Sequence, residues 1–276
     1  MVNPITDNES LGKISFSIRK SVIQSLSEAG SGHLGGSLGL ADVFTALYFN
    51  VLRHDSGNPD WPERDRLILS IGHVAPVLYA SLAHAGYFPV EELMTLRKLG
   101  SRLQGHPGRD HGLPGLELSA GSLGQGLGVA VGLALAGKID QSERKVYCIL
   151  GDGELQEGSV WEAAMSASHH KLDKLTAIVD RNGLQIDGRT ENVMNLEPLA
   201  EKWKSFGWNV LECKGHDFPS LLKCFEITSK SHAQPSVIIA GTIMGKGVKS
   251  IEGDFLWHGK APTKEQAAVF LKELSE

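Results

Sequence analysis

Two oxygen-bearing side chains follow apolar segments at points where strands of a sheet would end. Asp152 lies between two glycines directly after the apolar run Val146–Leu150, and Asn182 comes shortly after a second apolar run, Leu175–Val179. Carboxylate and amide oxygens are ligands that suit Mg²⁺ or Ca²⁺. Gly153 would let backbone N–H groups approach phosphate oxygens, and the helix predicted after it adds a positive dipole. Either turn alone could be purely structural; together, on neighbouring strands, they favour a site for a metal diphosphate.

Four of the eleven histidines lie in glycine-containing loops, a context that favours chemistry. They are His33, His73, His106 and His258. Histidine has a reference pKa near 6.5 and can therefore donate or accept a proton at neutral pH. The other seven lie on predicted helices or polar turns, where we expect surface or packing roles: His54, His84, His111, His169, His170, His216 and His232.

The elements that must position these side chains alternate along the chain. Short apolar runs predict strands at Leu67–Ile71, Val146–Leu150, Leu175–Val179, Asn209–Leu211 and Ser236–Ala240. Apolar spacing predicts helices at 11–26 and 40–51, near 75–85, 90–99, 123–138, 158–170, 197–205 and 217–231, and at about 263–275. This alternation predicts an α/β fold of three layers, α/β/α, with a mainly parallel sheet. No linker or repeat is visible, so we expect one domain over 1–276, with ligands beyond the carboxyl ends of the strands.

Composition narrows the function classes further. The chain has 276 residues, 41% of them hydrophobic, and a net charge of −5, which disfavours nucleic-acid binding. The N-terminus lacks the features of a signal peptide and no apolar run is long enough to span a membrane, so we expect a cytoplasmic protein without membrane contact. The most apolar stretch, 123–136, predicts a tightly packed buried helix. Three cysteines outside any Cys/His cluster indicate neither a disulfide framework nor a structural zinc site.

Three glycine patterns suggest other chemistries but lack their context. Residues 30–35 satisfy GxGxxG and residues 35–39 satisfy GxSxG, yet both follow a predicted helix rather than the strand that a dinucleotide site or a nucleophile elbow requires. Residues 241–247 lack the spacing and the Ser/Thr of a P-loop. Cys148 lies inside a predicted strand and is expected to be a small buried hydrophobe rather than a nucleophile.

Six motifs in one order resemble transketolases. The first is the segment 145–188, in which GDG at 151–153 with Asn182 some thirty residues later resembles the thiamine diphosphate motif, and LQEG at 155–158 followed by WEA at 161–163 resembles transketolase in particular. The remaining motifs are SGHLG at 31–35, LSIGH at 69–73, GHP at 105–107, GSLGQG at 121–126 and WHGKAP at 257–262. The resemblance covers the whole chain and implies the thiamine diphosphate-binding fold of the family's diphosphate domain.

The resemblance implies a role for each matched residue. Asp152, Asn182 and the carbonyl of Leu184 would bind the metal, Mg²⁺ or Ca²⁺; Gly153 and His73 would contact the diphosphate; and Gly121 and Leu123 would hold the aminopyrimidine through backbone groups. His33, His106 and His258 would face the substrate, and Glu157 would lie at a subunit interface. Leu34 stands where the family often has proline, and the GHP loop is extended by 109–111, so sugar specificity stays open.

The resemblance also implies a second subunit. Transketolases continue into a pyrimidine-binding domain, which supplies the glutamate that activates the cofactor and most residues that hold the sugar phosphate, whereas here only 18 residues follow His258. The chain therefore resembles the N-terminal subunit of a split transketolase. It would transfer a two-carbon ketol unit from a ketose phosphate to an aldose phosphate with a C-terminal partner, and would self-associate in a heterotetramer.

Two alternatives accompany this interpretation. One is a subunit of another thiamine diphosphate enzyme, of the 2-oxoacid dehydrogenase or deoxyxylulose phosphate synthase type. The other is a non-catalytic or regulatory protein that kept the fold. The sequence leaves open the sugars, the identity of the partner and the metal used.

Overall fold

Five parallel strands form the centre of the computed structural model, which describes residues 4–275. They are β1 (Arg66–Leu69), β2 (Val146–Gly151), β3 (Leu175–Arg181), β6 (Asn209–Lys214) and β7 (Ser236–Gly241), in the order β1-β2-β3-β7-β6. A small antiparallel ribbon pairs β4 (Leu184–Gln185) with β5 (Gly188–Arg189). All five predicted strands of the main sheet are therefore present, and they are parallel as predicted.

Helices cover both faces of this sheet. They are α1 (Asn8–Ala29), α2 (Leu34–Gly39), α3 (Ala41–Ala46), α4 (Ala75–His84), α5 (Gly126–Ile139), α6 (Gly158–His169), α7 (Thr190–Val193), α8 (Leu199–Ser205), α9 (Phe218–Ser229) and α10 (Lys264–Ser275). A π-helical turn follows α3 at Leu47–Val51, and 3₁₀ turns form at Gly72–Val74, Val90–Thr95, Arg109–His111, Gly153–Gln156 and Phe255–Trp257. Within residues 4–275, no helix has both the length and the apolar character needed to cross a membrane.

The alternation of side chains along each strand divides the core into two. Tyr147 and Ile149 of β2 pack into one cluster with α1, α3 and α4. Cys148 and Leu150 of the same strand pack into the other cluster with α5 and α6. Successive strand residues point to opposite faces, so an apolar strand fills both cores at once. The three-layer α/β/α prediction is confirmed.

Helix α1 shows local sequence signals at both ends. The Asp7 side chain accepts a hydrogen bond from the N–H of Ser10 at 2.8 Å, which caps an otherwise unpaired donor of the first turn. Gly30 adopts φ 66° and its N–H donates to the carbonyl of Leu26 at 3.0 Å, which ends the helix.

The helix predicted at 40–51 is present, as α3 from Ala41 followed by the π-helical turn that ends at Val51. Two other helix predictions need correction. The segment predicted as helix at 90–99 forms only a 3₁₀ turn that ends at Thr95. The helix predicted from Leu123 begins at Gly126, and it is not buried all round. Its inner side is covered, whereas Val129 is 37% and Ile139 73% exposed.

Candidate active site

One cavity of about 380 Å³ lies at the carboxyl edge of the sheet, where the strand-end loops meet. Every residue to which the sequence assigned a site role lines it: His33, His73, His106, Gly121, Leu123, Asp152, Gly153, Glu157, Asn182, Leu184 and His258. They come from segments up to 225 positions apart in the chain. The parallel sheet brings them together because its strands all end at the same edge.

Asp152 is the most enclosed anion at the strand ends, with 1% of its surface exposed. Its carboxylate accepts hydrogen bonds from the N–H of Gly153 at 2.8 Å and of Gly183 at 2.6 Å, and it pairs with Arg181 at 3.0 Å. Burial raises the pKa of Asp152, and the Gly183 hydrogen bond and the Arg181 charge oppose that rise. The Arg181 guanidinium also reaches Glu197 at 2.9 Å, so it keeps an anionic partner if Asp152 binds a cation.

The loop after β3 places Asn182 and Leu184 in the wall of the same cavity. The Asn182 amide is fixed at both ends, because its Nδ2 donates to Asp180 at 2.9 Å and its Oδ1 accepts the N–H of Leu184 at 2.9 Å. Asp180 is itself buried, which raises its pKa to about 7. The Asp152 carboxylate, the Asn182 amide oxygen and the Leu184 carbonyl form a set of hard oxygen donors. Within residues 4–275 no cluster of three His, Cys, Asp or Glu side chains could hold a metal, so any cation here depends on this mixed set.

Glu154 joins three of the loops that surround the cavity, a role that the sequence analysis missed. The side chain is 2% exposed and accepts hydrogen bonds from the Ser70 hydroxyl, from the N–H of Gly124 at 2.8 Å and from the N–H of Gly151 at 3.1 Å. Burial raises its pKa. Its position directly after the GDG motif was the available signal, but two of its partners lie far away in the sequence.

A second missed network fixes the loop after β7. Arg19 and Asp42 form a buried ion pair at 2.6 Å, and the Asp42 carboxylate also bonds Nδ1 of His216 at 2.8 Å. Nε2 of His216 accepts the N–H of Ile243 at 2.8 Å. The neighbouring Met244 lines the cavity. This chain of contacts therefore connects α1 and α3 to a wall of the site.

The four loop histidines form one cluster above the strand ends. The ring of His33 lies 5.1 Å from that of His73, 5.7 Å from that of His258 and 6.2 Å from that of His106, and the rings of His73 and His258 are 4.9 Å apart. Burial lowers the pKa of His33 to about 4 and that of His73 to about 3, and neighbouring histidines act in the same direction. Burial also lowers the pKa of His106 and His258. All four imidazoles are therefore neutral at pH 7.

These lowered pKa values predict a loss of stability in acid. An unfolded histidine takes up a proton near pH 6.5, whereas folded His73 resists protonation down to about pH 3. The contribution of His73 to stability is thus complete above pH 6.5 and is lost as the pH falls towards its folded pKa. The melting temperature of wild type should fall more steeply between about pH 6.5 and about pH 4 than that of His73→Gln. His232→Gln, which removes an exposed histidine, should show the same dependence of melting temperature on pH as wild type. An equal dependence in all three proteins would contradict the burial of His73.

A match to a family model covers residues 12–274, and that family is described as the transketolase thiamine diphosphate-binding domain. The chain belongs to this transketolase family. The 6-deoxy-6-sulfo-D-fructose transketolase subunit SqwG of a Clostridium species is 44% identical over 94% of the chain and 94% of that protein. An apulose-4-phosphate transketolase subunit of Phocaeicola vulgatus is 42% identical over 94% of the chain and 91% of that protein.

Longer transketolases share the same region. Human transketolase is 41% identical over 93% of the chain but only 41% of its own length. The crystal structure of transketolase from Campylobacter jejuni superposes with a TM-score of 0.91 at 35% identity, over 98% of the chain and 43% of that structure. The chain thus spans less than half of these transketolases, and the likeness confirms the thiamine diphosphate-binding fold inferred from the motifs.

Proposed function

We propose that this chain is the thiamine diphosphate-binding subunit of a two-subunit transketolase, which moves a two-carbon ketol unit from a ketose phosphate to an aldose phosphate. The main observation that supports this proposal is that all eleven residues matched to the family's motifs line one cavity. The relatives that the chain spans almost end to end are named as subunits. Their names specify sugars with a sulfonate or a phosphate, which supports an anionic sugar as the substrate class here.

The strand-end residues fit a divalent metal and a diphosphate. Asp152, Asn182 and the carbonyl of Leu184 would hold Mg²⁺ or Ca²⁺, Gly153 and His73 would contact the diphosphate, and Gly121 and Leu123 would hold the aminopyrimidine through backbone groups. A Cβ on Gly153 would lie 3.1 Å from Cβ of Gln185, so glycine keeps this approach to the cavity open. When bound, thiamine diphosphate supplies a nucleophilic thiazolium carbon and stabilises the carbanion.

The histidine cluster would hold and move protons on the substrate. His33, His106 and His258 would face the sugar. Since burial keeps these rings neutral at pH 7, each ring offers one donor and one acceptor nitrogen to a hydroxyl group. The same burial would limit the access of water to the reacting atoms.

A partner subunit would cover the open side of the site. Gly121 and Glu157 are exposed at the cavity rim, and Ile186, another lining residue, is 62% exposed. The uncovered side of α5 and Met165 of α6, which is 56% exposed, add apolar surface that a second protein chain would bury. We infer a C-terminal partner with a pyrimidine-binding domain and self-association into a heterotetramer. We further infer one domain over 1–276 and a cytoplasmic location.

A calorimetric titration with thiamine diphosphate and Mg²⁺ in the presence of the pyrimidine-domain partner tests this function. Saturable heat that requires both the cofactor and the metal, together with ketol transfer between sugar phosphates, supports it. Cofactor binding with turnover of a 2-oxoacid instead would favour another thiamine diphosphate enzyme. No heat and no ketol transfer would leave only the non-catalytic alternative.

Replacing His258 or His33 by glutamine should affect turnover more than folding. Proton transfer by a positioned side chain contributes about 10²- to 10⁴-fold to a rate, so kcat for ketol transfer by the assembled enzyme should fall within that range. The melting temperature should change little, because both side chains are only partly buried and glutamine is a polar side chain of similar size. The exposed His232→Gln is the matched control; normal kcat with a strongly lowered melting temperature would make both residues structural.

A further inference from the structure

His216 bridges a buried ion pair to the loop that follows β7. Its Nδ1 lies 2.8 Å from a carboxylate oxygen of Asp42, and its Nε2 accepts the N–H of Ile243 at 2.8 Å. Arg19 donates to both oxygens of the same carboxylate, at 3.0 and 2.6 Å. Burial alone would raise the pKa of Asp42, but the hydrogen bond from His216 and the charge of Arg19 outweigh it and hold that pKa below its usual range. Asp42 is therefore ionised at neutral pH and can only accept hydrogen bonds.

These two contacts fix the position of the hydrogen on the His216 ring. The Ile243 N–H can only donate, so Nε2 of His216 has a free lone pair and no hydrogen. Nδ1 then carries the hydrogen and donates to the Asp42 carboxylate. The opposite tautomer would place Nε2–H against the Ile243 N–H and a bare Nδ1 against the carboxylate, so both contacts would be lost. Asp42 thus stabilises the one neutral form of His216 that can hold a backbone N–H.

The backbone that His216 holds belongs to residues 242–247, named here the β7 loop, which contacts both the cavity and α2. Met244 of this loop lines the cavity. The N–H of Gly245 donates to the carbonyl of Gly35 in α2 at 2.8 Å. A Cβ on Gly35 would lie 2.6 Å from Cγ of Met244, so α2 lies directly against the loop. A shift of the β7 loop would therefore change both the cavity wall and the position of α2.

His33 of the histidine cluster directly precedes α2, and this helix is weak on its own. Three of its six residues are glycine, and no side chain caps its N-terminus with a hydrogen bond. The helix therefore depends on its neighbours for its position. At its C-terminal end, a Cβ on Gly39 would lie 2.9 Å from the carbonyl oxygen of Ile243, the residue whose N–H His216 holds. The contact made by His216 thus affects the placement of His33 as well as that of Met244.

We propose that His216 is a positioning residue that holds the β7 loop in place through the N–H of Ile243. The loop then keeps Met244 in the wall of the cofactor cavity, and α2 keeps His33 beside the substrate. This inference rests on the proposed function for the identity of both ligands. The buried Asp42 carboxylate selects the tautomer that the role requires. Neither His216 nor Asp42 lines the cavity, so their effect passes through the backbone of the β7 loop.

Amide hydrogen exchange of the chain alone tests the contact without any catalysis. His216→Leu removes the acceptor at similar volume, so the Ile243 amide should exchange about 10-fold faster or more than in wild type. His216→Gln places an amide oxygen near the position of Nε2 and should restore most of the protection. His84→Leu is the matched control, because it removes another half-buried histidine, which bonds Ser21 at 3.0 Å and lies outside this network. The ¹⁵N spectrum of wild-type His216 should show hydrogen on Nδ1 alone.

Turnover of the assembled enzyme tests the consequence for the site. With saturating thiamine diphosphate and Mg²⁺, His216→Leu should lower kcat for ketol transfer by about 10- to 100-fold, since small displacements of positioning groups have effects of this size. His216→Gln should recover most of that loss, and His84→Leu should match wild type. Such a rescue distinguishes positioning from packing, because glutamine restores the hydrogen bond to Ile243 and not the shape of the imidazole.

The two measurements separate failure of this inference from failure of the proposed function. Unchanged exchange of the Ile243 amide in His216→Leu, or hydrogen on Nε2 in the ¹⁵N spectrum, would overturn the contact. Faster exchange with wild-type turnover, or equal losses of turnover in His216→Leu and His216→Gln, would overturn the positioning role. The expected exchange pattern in a chain whose wild-type assembly shows no ketol transfer would support the contact and reject the proposed function.

Discussion

An Asp152→Asn variant should lose metal-dependent binding of thiamine diphosphate by about 100-fold or more. Asp152 is the only anion in the proposed ligand set, and Asn182 and Leu184 contribute neutral oxygens. Removing partners outside the ligand set of a metal site typically costs about 10- to 100-fold in affinity, so loss of the charged ligand itself should cost at least as much. Calorimetric titration of the cofactor in the presence and absence of Mg²⁺, with the partner protein present, measures the change.

Asparagine is a better test than alanine at this position. Asp152 also accepts the N–H groups of Gly153 and Gly183 and pairs with Arg181. An alanine would leave those donors without their partner and would cost about 1–3 kcal/mol of stability, whereas asparagine keeps one acceptor oxygen. Asp173→Ala provides a matched control, because Asp173 lies before the opposite end of β3, far from the cavity, where its carboxylate accepts the N–H of Ala233 at 3.3 Å. Unchanged cofactor affinity in Asp152→Asn would reject the metal assignment.

The strands were predictable because a parallel sheet covered on both faces requires apolar side chains at successive positions. Runs such as Val146–Leu150 satisfy this requirement and have the length of a typical strand. Helix α2 was not predictable in the same way, since the segment Leu34–Gly39 contains three glycines and an isolated helix of that composition is unstable. It forms because all six of its residues are buried against the rest of the molecule. Tertiary packing there outweighs local propensity.

The residues of the site likewise fall into those that the sequence could identify and those that depend on the fold. Residues within glycine-rich motifs could be identified from sequence, since each motif combines a turn with a polar side chain. Glu154 and Arg181 could not, because their roles depend on partners such as Ser70 and Glu197 that only the fold brings near. The apolar character of α5 predicted burial, but sequence alone did not distinguish burial within the chain from burial by a second protein.

The 276-residue chain alone should show no ketol transfer. The resemblance to transketolases implies that the glutamate that activates the cofactor lies in a pyrimidine-binding domain, and no part of residues 4–275 adds a second sheet of comparable size. An acid–base group of this kind contributes about 10²- to 10⁴-fold, and the missing wall of the substrate site would lower the rate further. With thiamine diphosphate, Mg²⁺, a ketose phosphate and an aldose phosphate, the isolated chain should therefore remain at the rate of the buffer control.

Adding a pyrimidine-domain subunit should restore turnover and shift the sedimentation coefficient to that of a heterotetramer. The exposed rim near Glu157 and the uncovered side of α5 would supply the contact surface, and closed two-fold symmetry is the commonest arrangement for such assemblies. Val129→Lys, on that side of α5, should weaken the assembly while leaving the fold of the chain intact, because the residue is 37% exposed. Lys138→Glu changes a charge near the end of the same helix. It serves as the control for a nonspecific electrostatic effect on assembly. Full turnover by the mass-verified chain without any partner would reject the two-subunit mechanism, since one chain would then supply every group that the reaction needs.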